Sequence, residues 1–183
     1  MSGEEGWCVW ITGLSGSGKS TIANLLLEKL TACGFRVQLV SIDMLRRVVT
    51  PKPTYSEEER GMVYAALVFT AKLLTKNSVN VIIDATGNRR CYRDQAREQI
   101  LRFAEVYLRC PLKLCMKRET QRRNTYHAPK QIYRKGLSGK SQTVPGVNVP
   151  YEEPLHPELI IDTDKQVAEE SVQKIIDIIT ELH

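Results

Sequence analysis

Short apolar runs alternate with longer amphipathic segments along most of this chain. The apolar runs are rich in β-branched residues and short enough to be buried strands. Strands are predicted at residues 7–12, 36–41, 79–84, 103–108 and 159–162. Helices are predicted at residues 19–33, 56–76, 91–102, 112–118 and 166–182. Strands that alternate with helices pair in parallel, so the pattern predicts a three-layer α/β/α fold with a central five-stranded parallel sheet.

Local signals indicate where some helices begin and end. Gly34 follows the first helix, where a glycine commonly ends one. Ser56, with Glu59 three residues later, forms a capping box that fixes the start of the second helix. Asp164 is expected to cap the last helix, because a short polar side chain can accept hydrogen bonds from the first turn.

Two segments have no periodic pattern. Residues 50–54 contain two prolines and are predicted to be a stiff connector. Residues 135–157 contain four prolines and three glycines. This segment is too long to be a plain connection between two elements of a compact domain. Long loops of this kind often close over substrates. We therefore expect a mobile lid at about residues 119–157, inside a single domain that spans residues 1–183.

Composition is that of a globular chain, with 42% hydrophobic and 26% charged residues among 183. No apolar stretch is long enough to cross a membrane, and the first residues are acidic, so a cytoplasmic protein without membrane contact is expected. The five cysteines are odd in number and lack C-x-x-C spacing. This argues against both a disulfide framework and a zinc site.

The net charge of +5 is unevenly placed. Residues 113–140 carry nine lysines and arginines but one acid, Glu119. Such a run is either a solvated helix face or a basic lid over phosphates, and we favour the lid.

Residues 13–20 read G-L-S-G-S-G-K-S, a complete phosphate loop between a predicted strand and a predicted helix. Its glycines let backbone N–H groups turn towards phosphate oxygens, and the helix N-terminus favours anions. Lys19 is expected to reach the β- and γ-phosphates of ATP, and Ser20 to ligate Mg²⁺. The predicted ATP-binding residues are Gly13, Ser15, Gly16, Ser17, Gly18, Lys19, Ser20 and Thr21.

Asp43 and Asp84 follow the second and third predicted strands. The carboxyl ends of parallel strands meet at one edge of a sheet, where ligands bind. Asp84 is predicted to hold Mg²⁺ together with Ser20, or else to cap the next turn. Asp43 is predicted to orient or deprotonate an acceptor hydroxyl, or else to cap a helix.

Several arginines are candidates for binding anions. Arg46 and Arg60 offer guanidinium forks to a phosphate or sulfate, unless they pair with nearby glutamates. Arg118, Arg122 and Arg123 could each bring a cation over the transferring phosphoryl group. Of the three, we expect Arg118 to stabilise this group. The predicted catalytic residues are Lys19, Asp43 and Arg118.

The phosphate loop is followed by five further motifs in a fixed order, in the segments 43–46, 55–60, 93–97, 132–135 and 151–154. With them the sequence resembles the adenylyl-sulfate kinase family, over residues 7–163. The resemblance implies that ATP phosphorylates the 3′-hydroxyl of adenylyl sulfate, on a phosphate-loop fold with a mobile lid, in a homodimer that serves sulfate assimilation. The substrate-binding residues expected are Asp43, Arg46, Tyr55, Arg60, Asp84, Tyr133 and Lys135.

Some positions depart from the family pattern. Ser41 replaces the first acid of D-G-D, Gly87 replaces a serine, and Val63 replaces an asparagine. Gln142 and Val144 replace the lysine and the aromatic ring of K-G-F-T-G. An aromatic stack is worth roughly 1–3 kcal/mol per base, so the acceptor need not be adenylyl sulfate.

Three other functions therefore stay open. The acceptor could be a cytidine diphosphate derivative. Residues 83–90 resemble a segment of polynucleotide kinases, so the acceptor could also be a polynucleotide 5′-hydroxyl, although we consider a nucleic-acid partner unlikely. The last alternative is a non-catalytic regulator that closes its lid on ATP.

Overall fold

The computed structural model describes residues 4–182. Its sheet confirms the predicted α/β fold class. The strands are β1 (Cys8–Thr12), β2 (Val37–Ser41), β3 (Asn80–Asp84), β4 (Phe103–Arg109) and β5 (Leu159–Asp162). All pair in parallel, in the order β2-β3-β1-β4-β5, so β1 lies at the centre.

Seven helices are assigned in residues 4–182. They are α1 (Lys19–Ala32), α2 (Ile42–Val49), α3 (Glu57–Lys76), α4 (Arg90–Gln99), α5 (Leu112–Gln121), α6 (Ile132–Leu137) and α7 (Ala168–Glu181). The five predicted helices are present, with limits that differ by up to three residues. The Ser56 cap is confirmed, because its hydroxyl accepts a hydrogen bond from the Glu59 N–H.

The central strand shows how the layers are held. Val9 and Ile11 belong to the core cluster that includes α1 and α7 side chains, whereas Cys8 and Trp10 belong to the cluster with α3 and α4. Successive side chains of a strand point to opposite faces, so one strand contributes to both cores. The indole of Trp10 also donates to the Ala85 carbonyl at 2.9 Å. This bond ties the chain after β3 to the centre of the sheet.

Three features of the helices differ from prediction. Helix α2 follows β2 with no intervening loop, and Ser41 ends the strand while serving as N-cap. Helix α6 has six residues inside the Gly- and Pro-rich stretch and starts from Gln131 in a left-handed conformation. Asp164 does not cap α7, whose N-cap is Val167, so that prediction was wrong.

No helix in residues 4–182 is long and apolar enough to cross a membrane.

Candidate active site

A cavity of about 880 Å³ runs along the carboxyl edge of the sheet. Its floor is the phosphate loop after β1, from Ser15 to Thr21. At the end next to β2 and β3 the wall includes Asp43 and Tyr55, and at the end next to β5 it includes Thr163. The cavity therefore has a central phosphate-binding floor and two ends, called here the β2 end and the β5 end.

The phosphate loop has the backbone that its glycines predict. Gly13, Gly16 and Gly18 all have positive φ, at 145°, 81° and 107°. A methyl group on Gly16 would clash with the carbonyl oxygen of Cys115 in α5. The loop therefore needs glycine at this position both for its shape and for its contact with α5.

The Lys19 side chain folds back onto the phosphate loop. Its ammonium donates to the carbonyls of Gly13 and Leu14, at 3.0 and 2.9 Å. Burial lowers the pKa of Lys19, while the charges of Asp84 and Asp43 raise it. The predicted ATP-binding residues line the cavity from Ser15 to Thr21, and Gly13 supports Lys19 from outside the wall.

Asp84 and Asp43 both line the cavity, and the charge of Asp84 acts on Asp43. Burial raises the pKa of Asp84, opposed by the charge of Lys19 and by a hydrogen bond from Ser20. The pKa of Asp43 is raised by burial and then by the charge of Asp84. A cation bound beside Asp84 would favour the ionised form of both carboxylates.

This donor set fits Mg²⁺. Ser20 provides a hydroxyl and Asp84 a carboxylate on the cavity wall. Residues 4–182 contain no group of three His, Cys, Asp or Glu side chains that could hold a metal alone. Mg²⁺ bound to phosphates needs one or two protein ligands, because phosphate oxygens and water complete its shell.

Arg46 and Tyr55 are oriented at the β2 end by one buried glutamate. Glu59 is 6% exposed, and its Oε1 accepts from Arg46 at 2.5 Å. Its other oxygen accepts from Thr54. Burial raises the pKa of Glu59, but hydrogen bonds from Thr54 and Tyr55 and the Arg46 charge outweigh it, so the pKa lies below its ordinary value. The Arg46 guanidinium lies 4.8 Å from the centre of the Tyr55 ring.

Arg60 joins three segments of the chain. It donates to the Tyr55 carbonyl at 3.1 Å, to Asn88 Oδ1 at 3.2 Å and to the Thr143 carbonyl at 2.5 Å. Thr143 belongs to the predicted lid. Arg60 lines the cavity, but all three guanidinium nitrogens are already bound to protein.

Of the two predicted lid contacts, one reaches the cavity. Lys135 lines the wall and is exposed. Tyr133 does not line it, contrary to the expectation of a substrate contact. Its ring is buried with Cys115 and Val144, and its hydroxyl donates to the Ser15 carbonyl at 2.7 Å. Tyr133 thus supports the phosphate loop from behind.

Arg118 and Arg122 both line the cavity but have different partners. Arg118 donates to the Thr163 hydroxyl at 3.1 Å and to its carbonyl at 2.7 Å, at the β5 end. Arg122 donates to Glu119 at 3.2 Å and to the Pro129 carbonyl at 2.5 Å. Arg123 is exposed and is not part of the wall.

The wall also includes a stretch that follows Arg122, inside the predicted lid, whose residues sequence reasoning did not single out. It consists of Asn124, Thr125, Tyr126, Ala128 and Pro129. Tyr126 and the adjacent His127 have positive φ, so the stretch is irregular. The basic run predicted a lid in this region, but an irregular loop has no hydrophobic periodicity that would indicate which of its residues line the cavity.

The departures from the family pattern occupy different places. Val144 lines the cavity although it is 4% exposed, whereas Val63 is fully buried and is not part of the wall. Gly87 has a φ of 50° and donates its N–H to the Tyr64 hydroxyl at 2.8 Å. Of these three positions, Val144 is the one where the change alters the cavity surface.

Comparison with known proteins agrees with this geometry. The family model described as adenylylsulphate kinase matches residues 5–162. A probable adenylyl-sulfate kinase from Archaeoglobus fulgidus is 42% identical over 86% of this chain and 96% of its own length. The structure of the Mycobacterium tuberculosis APS kinase CysC in complex with AMPPNP and APS is 30% identical, with a TM-score of 0.86, and covers 97% of this chain and 99% of its own.

A more distant structure, the hexameric APS kinase from Thiobacillus denitrificans, is 26% identical with a TM-score of 0.68. It covers 97% of this chain, which corresponds to 29% of that protein. Since the family match runs through the phosphate loop, both carboxylates and the predicted lid segment, the chain belongs to the adenylyl-sulfate kinase family of phosphotransferases.

Proposed function

We propose that this protein transfers the γ-phosphoryl group of ATP to the 3′-hydroxyl of adenylyl sulfate. The observation that carries this proposal is the meeting of Lys19, Asp43 and Asp84 at one point of the cavity, next to an end that holds two arginines and an aromatic ring. The relative solved with AMPPNP and APS has the same fold along nearly its whole length, which supports the same pair of ligands here.

We expect the two nucleotides to bind at opposite ends of the cavity. The phosphates of ATP occupy the loop, where backbone N–H groups and the α1 N-terminus attract anions. Asp43 lies at the β2 end, so the acceptor hydroxyl approaches from that side. The adenosine of ATP then extends to the β5 end, towards Thr163 and Arg118.

The reaction needs an oriented hydroxyl and a neutralised phosphoryl group. Asp43 accepts a hydrogen bond from the acceptor hydroxyl and takes its proton as the new bond forms. Lys19 moves from the carbonyls of Gly13 and Leu14 to the phosphate oxygens. Ser20 and Asp84 hold Mg²⁺, which, when bound, neutralises part of the charge on the phosphates.

The acceptor end fits a nucleotide anion. The Tyr55 ring lines the cavity with the Arg46 guanidinium against it, and we expect the ring to stack on the base of the acceptor. Arg60 lines the same region and can exchange a protein partner for a sulfate or phosphate oxygen. Val144 contributes a smaller apolar surface than an aromatic ring would. We expect the base to be held mainly from the Tyr55 side.

The test is a phosphoryl-transfer assay with Mg²⁺-ATP and a panel of acceptors. Adenylyl sulfate should be converted with saturation, whereas cytidine diphosphate derivatives and a 5′-hydroxyl oligonucleotide should not. Asp43→Asn should bind ATP normally and lose most turnover. Turnover of another acceptor, with none of adenylyl sulfate, would show that the altered pocket takes a different substrate.

We also propose a cytoplasmic homodimer. All five cysteines are free, as in a reducing compartment. Met62, Phe69 and Leu73 are exposed on α3 at 56%, 59% and 47%. Their spacing of seven and four residues puts them in one line on the helix surface, called here the α3 stripe. Such a line suits a two-fold interface, where each helix packs against its copy.

A further inference from the structure

Two arginines of the lid line the cavity, and they serve different parts of the reaction. Sequence reasoning favoured Arg118 as the cation that acts on the transferring group. The structure places Arg118 at the β5 end, with two terminal nitrogens bound to Thr163. A side chain held there faces the nucleoside of ATP in the arrangement proposed above, and the γ-phosphate lies nearer the β2 end.

Arg122 is followed by wall residues from Asn124 onwards. Its charge acts on the pKa values of both Lys19 and Asp43, the residues that the proposed function assigns to the γ-phosphate and to the acceptor hydroxyl. The side chain is 20% exposed and belongs to the cavity wall.

The neighbours of Arg122 fix its position without using all its donors. Its hydrogen bonds within residues 4–182 use one terminal nitrogen, which donates to Glu119 and to the Pro129 carbonyl. Nε is buried and unpaired within the same residues. Glu119, whose side chain is 2% exposed, also accepts from the Ile132 N–H. A buried carboxylate thus ties the arginine to the start of α6.

We propose that Arg122, held by Glu119, donates to the γ-phosphoryl group during transfer, while Arg118 positions the nucleoside end of ATP. This rests on the proposed function for the identity of the acceptor, but the role towards ATP does not depend on it. A preorganised cation at the transferring group lowers the barrier because negative charge develops there.

The test compares the variants Arg122→Met and Arg118→Met. Arg123→Met is the matched control, because it removes the same charge from the exposed residue next to Arg122. With adenylyl sulfate as acceptor, Arg122→Met should lower kcat about 100- to 1,000-fold, the usual range for loss of one such donor. Its KM for ATP should change less than about threefold. Arg118→Met should mainly raise the KM for ATP, and Arg123→Met should behave as the unmodified protein. Arg122→Lys should restore part of the kcat, because a cation returns without the planar fork.

A second measurement needs no acceptor. Mg²⁺-ADP with aluminium fluoride mimics the transferring group, and its affinity is compared with that of Mg²⁺-ADP alone. Arg122→Met should lose affinity for the fluoride complex while keeping that for ADP. An unchanged kcat, or equal loss of both affinities, would overturn the role of Arg122. If the unmodified protein fails to convert adenylyl sulfate, the proposed function fails and the fluoride measurement still decides the role of Arg122.

Discussion

At the scale of single residues, the site is defined by charges that share one small volume. Asp84 is buried and Asp43 is half-buried, and the charge of Lys19 opposes the rise in the pKa of each. The Lys19 ammonium donates to the backbone carbonyls of Gly13 and Leu14. The pKa values of the two carboxylates have a consequence for the pH dependence of activity.

The pKa of Asp43 is raised above its ordinary value of 3.8, and in the proposed reaction Asp43 accepts the proton in its ionised form. Activity should thus be full above the raised pKa and fall as the pH falls through it. We expect kcat/KM to fall on the acid side at a higher pH than it would if Asp43 had the pKa of an ordinary aspartate. More free Mg²⁺ should move this fall to lower pH, because a cation beside Asp84 favours both carboxylates. Profiles of kcat/KM at several Mg²⁺ concentrations would measure this, and a fall whose pH does not depend on Mg²⁺ would contradict it.

At the scale of elements, the sequence predicted the strands and long helices because buried apolar runs and capping signals are local. Ser56 and Glu59 are an example, since the predicted cap is formed. Helix α2 was missed because β2 passes straight into it at Ser41, and α6 because six residues show no period. The partners of Arg60 could not be predicted either, because Asn88 and Thr143 are distant in sequence and meet it only in the fold.

The contact of Tyr133 with the phosphate loop also joins residues that are distant in sequence, so it could not be predicted. Its role can be tested by substitution. Tyr133→Phe removes the hydrogen bond to the Ser15 carbonyl, which should cost about 0.5–1.5 kcal/mol of folding free energy. It should raise the KM for ATP, since the phosphate loop loses a support, and leave the KM for the acceptor unchanged. Tyr107→Phe, which alters a buried tyrosine outside the cavity, is the control. A raised KM for the acceptor alone would instead indicate a direct substrate contact.

At the scale of the whole molecule, one helix, α3, contributes both to the cavity wall and to the α3 stripe. Arg60 near the start of α3 lines the cavity, while Met62, Phe69 and Leu73 are exposed. The helix begins at the Ser56 cap and is anchored by Glu59 to the β2 end. An interface along the stripe would therefore rest directly on an element that shapes the acceptor end.

Phe69→Glu places a charge in the middle of the stripe and should convert the proposed homodimer to monomers, because burying an unpaired charge is costly. Sedimentation or light scattering would measure the change in mass. Phe35→Glu introduces the same charge at a residue that is 46% exposed and lies outside α3, and it should leave the mass unchanged. A Phe69→Glu protein with the mass of the unmodified one would place the interface elsewhere.

The contact between Gly16 and Cys115 bears on how one turnover ends. The loop that holds the phosphates and the helix that leads into the lid meet here with no room for a methyl group. We therefore expect a change in the phosphate loop, when the γ-phosphate is transferred, to be transmitted to α5. Replacement of ATP by ADP should then alter the position of the predicted lid, and with it the rate of product release.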